Sequence, residues 1–263
     1  MRIALGVGYR GGAYRGWQSQ AGGATVQDRL EEALARFTDR PRASLRTVCA
    51  GRTDAGVHAV NQVVHLDTDA VRAPFSWVRG SNRFLPDDIA VQWAQPVADE
   101  FHARNAAIGR RYRYVLLESA VRPGLDSGLV GWSHQALDAR AMRAAVEVLL
   151  GEHDFSAFRS AECQAASPVK TLRSLAIERR GAYWRFDFEA SAFLHHMVRN
   201  LMGSLLAVGS GRRDALWLAE VLASRRRERA APTFAAAGLY FLGPRYDARH
   251  AIPDDVAAAG WLA

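Results

Sequence analysis

The sequence predicts an α+β protein made of two halves, on three observations. Strand-like runs of period two and helical runs of period near 3.6 occur along the whole chain. They do not alternate regularly, as a doubly wound parallel sheet would require. The order of strands and helices before Phe101 is also followed by a similar order after Arg110. The seam therefore lies in that interval, giving expected halves of residues 1–105 and 106–263. No low-complexity linker separates them, so they are expected to share one continuous, mainly antiparallel sheet, with a substrate cleft between them.

The elements follow in order. Arg2 to Tyr9 reads as a strand and leads into the glycine-rich run Gly11-Gly12-Ala13-Tyr14-Arg15-Gly16-Trp17. Thr25, with Asp28 three residues on, predicts a helix start. Val26, Leu30, Ala33, Leu34 and Phe37 give that helix one apolar face. A short strand near Thr47 to Ala50 and a longer one within Val57 to Asp67 flank the loop Gly51-Arg52-Thr53-Asp54-Ala55-Gly56. A helix follows from Pro74 and a strand from Ile89 to Trp93. In the second half, Tyr112 to Leu117 reads as a strand and Asp138 as the cap of a helix through Met142, Val146 and Leu149. Leu172 to Glu178 and Tyr183 to Ala190 form a hairpin. There Trp184, Phe186 and Phe188 alternate with polar residues, the period of a half-buried strand. Helices are expected over Leu194 to Val208 and Asp214 to Ala223, and a last strand over Gly238 to Leu242.

Composition narrows the function classes. At 263 residues, 49% hydrophobic and 23% charged, the chain can bury a core and is not of disordered type. It has no apolar run of membrane-spanning length. Its N-terminus reads as a strand, not a signal peptide, so a cytoplasmic protein is expected. Cys49 and Cys163 suit two buried, reduced thiols. The net charge is +7, and 33 of the 34 basic residues are arginine, Lys170 being the exception. GC-rich coding explains such a bias. A polyanionic partner explains it equally, because the guanidinium fork matches phosphate, and nucleic acid becomes the leading partner class.

Four segments could carry chemistry. In the Gly51–Gly56 loop, Asp54 sits with Arg52 and His58 close by. Pattern alone favours a turn-forming carboxylate, but an aspartate on a rigid loop also serves as nucleophile or base. In Arg110-Arg111-Tyr112-Arg113-Tyr114, alternation puts the tyrosines on one strand face and Arg111 and Arg113 on the other. That is either a half-buried strand or an aromatic platform beside phosphate-binding arginines. His195 and His196 are adjacent, so on a helix they diverge and make no natural chelate, whereas zinc helices space histidines at i and i+4. Arg199 sits in an otherwise apolar helix with no acidic residue one turn away, so a carboxylate partner would come from elsewhere in the fold. The glycine-rich run before Trp17 matches neither a P-loop nor a dinucleotide fingerprint.

Together these segments resemble the tRNA pseudouridine synthase A family over most of the chain, from Tyr9 to Tyr246. The resemblance rests on Gly51-Arg52-Thr53-Asp54-Ala55-Gly56-Val57-His58-Ala59 and on Phe101-His102-Ala103-Arg104 followed by the Arg110–Tyr114 run. It rests also on His195-His196-Met197-Val198-Arg199-Asn200 with Gly203, and on Gly238-Leu239-Tyr240. Arg10 stands where the family usually has Asp. The resemblance implies a pseudouridine synthase fold of two related, ferredoxin-like halves around a central basic cleft. It implies a cytoplasmic homodimeric isomerase acting on uridines 38, 39 and 40 of the tRNA anticodon stem-loop, with no cofactor and no metal. Asp54 is then the catalytic nucleophile. Tyr112 stacks on the uracil and Arg199 pairs with Asp54. Arg52 fills the gap left by the flipped nucleotide, and Arg111, Arg113 and His58 bind substrate. The alternatives from other classes are an RNA-binding module without catalysis, a synthase acting on another RNA, and a metal-dependent hydrolase using His195, His196 and Asp54.

Overall fold

In the computed structural model, which describes residues 1–254, the elements run in chain order as follows. The first part holds β1 (Arg2–Tyr9), α1 (Val26–Thr38), β2 (Val48–Cys49), β3 (His58–Asp67), α2 (Pro74–Asn82) and β4 (Ile89–Val97). Then come β5 (Ala107–Glu118), β6 (Gly131–Ser133), α3 (Ala139–Glu147), β7 (Gly151–Asp154), β8 (Val169–Arg180) and β9 (Tyr183–Ala190). The last are α4 (Met197–Gly209), α5 (Ala215–Ser224) and β10 (Leu239–Tyr246). The chain divides into two units, one made of Met1–Ile108 with the segment from Tyr240 onward, the other of Gly109–Leu239. This differs from the expected division at 105/106 in one important respect. The last strand belongs with the first unit, because it pairs with β3.

In the first unit β1 is the middle strand. It is antiparallel to β3, with Leu5 opposite Val64, and antiparallel to β4, with Leu5 opposite Ala94. At its start β3 takes β10 in parallel, Tyr240 opposite His58. At its far end it takes the two-residue β2. The period of β1 explains its place: Ile3, Ala4, Leu5 and Val7 are all fully buried, as a strand covered on both faces requires. Helix α1 starts where the sequence expects. The Thr25 hydroxyl accepts the Asp28 N–H at 3.2 Å, and Asp39 stops the helix in the left-handed region at φ 55°. Its Leu30 and Leu34 are fully buried, worth roughly 2 kcal/mol each by area. α1 meets α2 through an edge-on contact of Phe37 with Trp77, ring centroids 5.4 Å apart. Gly80 makes this approach possible, since a Cβ there would lie 2.0 Å from the Phe37 ring.

In the second unit the strand order is β5-β9-β8-β7, all antiparallel, with short β6 parallel to β5. Tyr112, Tyr114 and Leu116 on β5 stand opposite Phe188, Phe186 and Trp184 on β9, and all six are buried. The reverse face carries a ladder of ion pairs. Arg113 forks onto its cross-strand partner Asp187 at 2.6 and 3.1 Å, and Arg185 reaches Glu178 at 2.7 Å and Asp187 at 3.1 Å. The Asp138 and Asp214 carboxylates cap α3 and α5. α4 begins at Met197, later than expected, and twelve of its thirteen residues are buried, Arg199 being the exception. Each unit thus combines a mostly antiparallel sheet with helices, and the α+β class is met in both.

Candidate active site

The Asp54 loop connects β2 to β3 in the first unit, and its backbone is held from several sides. The Gln62 side chain brackets Gly51, donating to its carbonyl at 2.5 Å and accepting its N–H at 3.4 Å. The Trp17 N–H donates to Thr53 O at 3.0 Å, and Gly56 N–H donates to Tyr14 O at 3.4 Å. The Thr53 hydroxyl and the Tyr9 phenol share a buried hydrogen bond of 2.7 Å. Burial pushes the Tyr9 phenol pKa up, so Tyr9 stays neutral in that bond. Asp54 O accepts from Val57 N–H at 3.2 Å, which closes the turn, and Gly56 takes φ 81°. Gly16 lies against this loop at φ 90°, where a Cβ would come within 2.6 Å of Thr53 O and 3.1 Å of Asp54 C. The result is a half-buried Asp54 carboxylate on a fixed main chain, with Arg52 exposed beside it. The glycine-rich run before Trp17 is therefore the loop's inner support.

His58 does not fit the expected substrate-binding role. It is 1% exposed, its ring stacks on Tyr240 at 4.7 Å, and its Nδ1 accepts the Gly11 N–H at 3.1 Å. It joins the glycine-rich run to β3 and β10 and presents no face to solvent.

In the second unit Tyr112 is buried on the inner face of β5, with the Phe193 ring edge-on at 5.1 Å. Arg111 and Arg113 point to the opposite face by strand alternation, and Arg113 is engaged by Asp187. The two guanidiniums thus lie on the strand face opposite Tyr112, as the alternation of the sequence predicts. Arg199 is the half-buried member of α4. Its Nε donates to Phe234 O at 2.9 Å, and Phe234 N–H returns a bond to Arg199 O at 3.1 Å. The Phe234 ring in turn lies 5.7 Å from that of Tyr114. Tyr114 donates to Ala235 O and Ala237 O at 3.0 and 2.7 Å, and Val115 N–H donates to Gly238 O at 2.8 Å. Residues 231–238 thus form a strap tied to both α4 and β5, a segment without helical or strand periodicity.

The two histidines also differ from expectation. They are not on the helix. His196 is its N-cap residue in the left-handed region, φ 64°, and this bend brings the rings of His195 and His196 to 4.0 Å instead of spreading them. The pair offers two imidazole nitrogens from one corner of the chain. His195 N–H lies 3.4 Å from the Cys163 sulfur. Cys163 is half-buried and Cys49 buried, and both are thiols. The sequence had suggested that both were buried.

Comparison with known proteins decides the family. A model described as tRNA pseudouridine synthase matches residues 7–104 and 145–247, which include Arg52, Asp54, His58 and Arg199 but not the Arg111–Arg113 stretch. The chain belongs to that family. Pseudouridine synthases are isomerases, as the enzyme class expected from the resemblance requires. Among its relatives is a protein of Methylibium petroleiphilum named tRNA pseudouridine synthase A, 71% identical over the whole of both chains. Another of the same name from Polaromonas naphthalenivorans is 62% identical, again over all of both chains. Among solved structures, an archaeal box H/ACA Nop10–Cbf5 complex matches 87% of this chain and 60% of its own, at 12% identity and a TM-score of 0.38. Among the described residues, no helix is long and apolar enough to cross a membrane.

Proposed function

We propose that this protein converts uridines 38, 39 and 40 of the tRNA anticodon stem-loop to pseudouridine, with Asp54 as nucleophile, acting as a cytoplasmic homodimer. The observation that carries the reading is the Asp54 loop. A carboxylate is held on a main chain pinned through Thr53 by Tyr9 and Trp17, in a chain of this family. Every relative named above carries tRNA in its name, which supports tRNA as the substrate.

The reaction breaks the bond from C1′ of ribose to N1 of uracil, turns the base and forms a bond from C1′ to C5. The proton leaves C5, and N1 ends up protonated, so atoms balance without a cofactor. A carboxylate suits this chemistry because it can attack C1′, add to C6 or stabilise a sugar cation, and each route returns it unchanged. In this reading the target nucleotide leaves its stack at a cost of a few kcal/mol, and Arg52 occupies the vacated space. In the same reading Tyr112 stacks on the uracil and its phenol helps remove the C5 proton. Arg199 pairs with Asp54 and keeps it ionised.

Tritium release from tRNA transcript labelled at uracil C5 tests the reading. The wild-type protein is expected to release tritium and Asp54→Asn to release none while staying folded. Near-normal release by Asp54→Asn removes the nucleophile assignment, and no release by the wild type removes the reaction class. Tyr112→Phe separates stacking, which keeps activity, from an essential phenol, which loses it.

A further inference from the structure

A second, half-buried polar cluster lies behind Arg199 in the second unit. Arg227 follows α5 and its guanidinium points inward. It donates to Ala231 O at 3.0 Å and, through its other terminal nitrogen, to Asn200 Oδ1 and Thr233 Oγ1, both at 3.1 Å. The Thr233 hydroxyl donates to the same Asn200 oxygen at 2.7 Å. Asn200 is fully buried, and its amide nitrogen donates to Phe158 O at 2.8 Å. Asn200 directly follows Arg199 on α4, and Thr233 directly precedes Phe234, the residue that holds the Arg199 Nε.

The charge of Arg227 is the unusual part. Among the described residues no carboxylate lies within ion-pair distance of it, and burial alone lowers its pKa from the ordinary value. A half-buried cation held only by neutral oxygens carries a desolvation cost that no counter-charge offsets. Stability by itself would be served as well by an apolar side chain of similar size. What the guanidinium adds is geometry: a planar fork that reaches an α4 side chain and two points of the strap at once. Close packing completes the clasp, since a Cβ on Gly203 would lie 2.2 Å from Pro232 O.

We infer that Arg227 is a positioning residue for the isomerase reaction. Through Asn200 and Thr233 it locks the strap onto α4, and so fixes the Phe234 carbonyl that orients the Arg199 guanidinium. This rests on the reading of Arg199 as the partner of the catalytic carboxylate. Arg227 touches neither substrate nor reacting atoms. Its loss acts through the direction in which Arg199 points.

The test is a double-mutant cycle on the full chain, read by single-turnover tritium release and by thermal melting. Arg227→Met is expected to lower kcat roughly 10- to 100-fold, the scale set by sub-ångström misplacement of a catalytic group, with KM within about twofold. In an Arg199→Ala background it is expected to change the residual rate by less than about twofold, because the residue it positions is gone. Thr233→Val, which removes one hydroxyl and keeps the shape, is expected to show the same pattern more weakly, and Thr233→Ser to restore the wild-type rate. If Arg227→Met melts below the assay temperature, Thr233→Val and Thr233→Ser carry the test alone. Losses that multiply in the Arg199→Ala background, or a lowered melting temperature with kcat unchanged, overturn the inference. Full activity of Arg199→Ala by itself overturns instead the role given to Arg199, and the two failures are thereby distinct.

Discussion

Replacing Gly16 by alanine tests whether the position of the Asp54 loop governs the rate. Gly16 sits at φ 90°, outside the regions that L-residues favour, and its missing side chain faces the loop main chain. A Cβ there would lie 2.6 Å from Thr53 O, 3.1 Å from Asp54 C and 3.2 Å from Ala55 N. Contacts below 3.0 Å do not persist, so the loop or the glycine-rich run must move by at least about 0.4 Å. The obstacles are backbone atoms, and no side-chain rotation relieves them. Positive φ alone costs an alanine about 1–2 kcal/mol. At that scale the melting temperature falls by a few degrees. The larger effect is on chemistry, because displacing Asp54 by a good part of an ångström is expected to lower kcat roughly 10- to 100-fold. Gly12 is the control: a Cβ there meets nothing within 4 Å and its φ is not positive, so Gly12→Ala should leave both quantities unchanged. The assay is tritium release at saturating tRNA beside a melting curve. A folded Gly16→Ala protein with wild-type kcat refutes the reasoning.

Two further outcomes concern histidines. Burial lowers the His65 pKa from 6.5 to about 4, and its Nδ1 accepts the Ala103 N–H, which only the unprotonated ring can do. The unfolded chain therefore takes up this proton first, so stability is expected to hold above pH 6.5, to fall as pH drops from 6.5 to about 4, and to level off below that. His65→Asn, compared by urea unfolding across that window, should flatten the fall, and an unchanged slope would remove His65 as its cause. For His58→Phe, the stack on Tyr240 is kept but the buried Gly11 N–H loses its acceptor, worth about 1–3 kcal/mol. A lower melting temperature with unchanged KM for tRNA is expected. A raised KM without loss of stability would return His58 to the substrate.

What the sequence revealed and what it hid separate along physical lines. Local signals were readable. Thr25, Asp138 and Asp214 cap helices as their side chains dictate, and the alternation around Tyr112 and Phe186 gave the buried face of β5 and β9. Strands of three or four residues, β6 and β7, are too short to show a period. The left-handed His196 was hidden because a non-glycine residue at positive φ is held there by its surroundings, and no residue type announces it. The pairing of Arg113 with Asp187 joins positions far apart in sequence, so a free-looking arginine was in fact engaged. At the site, the family motif marked Asp54 and Arg199, but their supports are long-range contacts. Tyr9 reaches Thr53, and Arg227 reaches Asn200. Neither pair has a pattern of its own.

The pairing of β10 with β3 has a consequence for biosynthesis. The second unit is one unbroken stretch of chain and can close as soon as it has left the ribosome. The first unit cannot, because Tyr240, which stacks on His58 directly behind the Asp54 loop, is made about 180 residues after Asp54 itself. At ordinary elongation rates that is a wait on the order of ten seconds or more. The strands β1, β3 and β4 can pair in the meantime, but the strand behind the Asp54 loop is laid well after them. A nascent chain that stops short of β10 would then carry the whole motif around Asp54 without the strand that sets it in place, so the uridine chemistry would wait for β10.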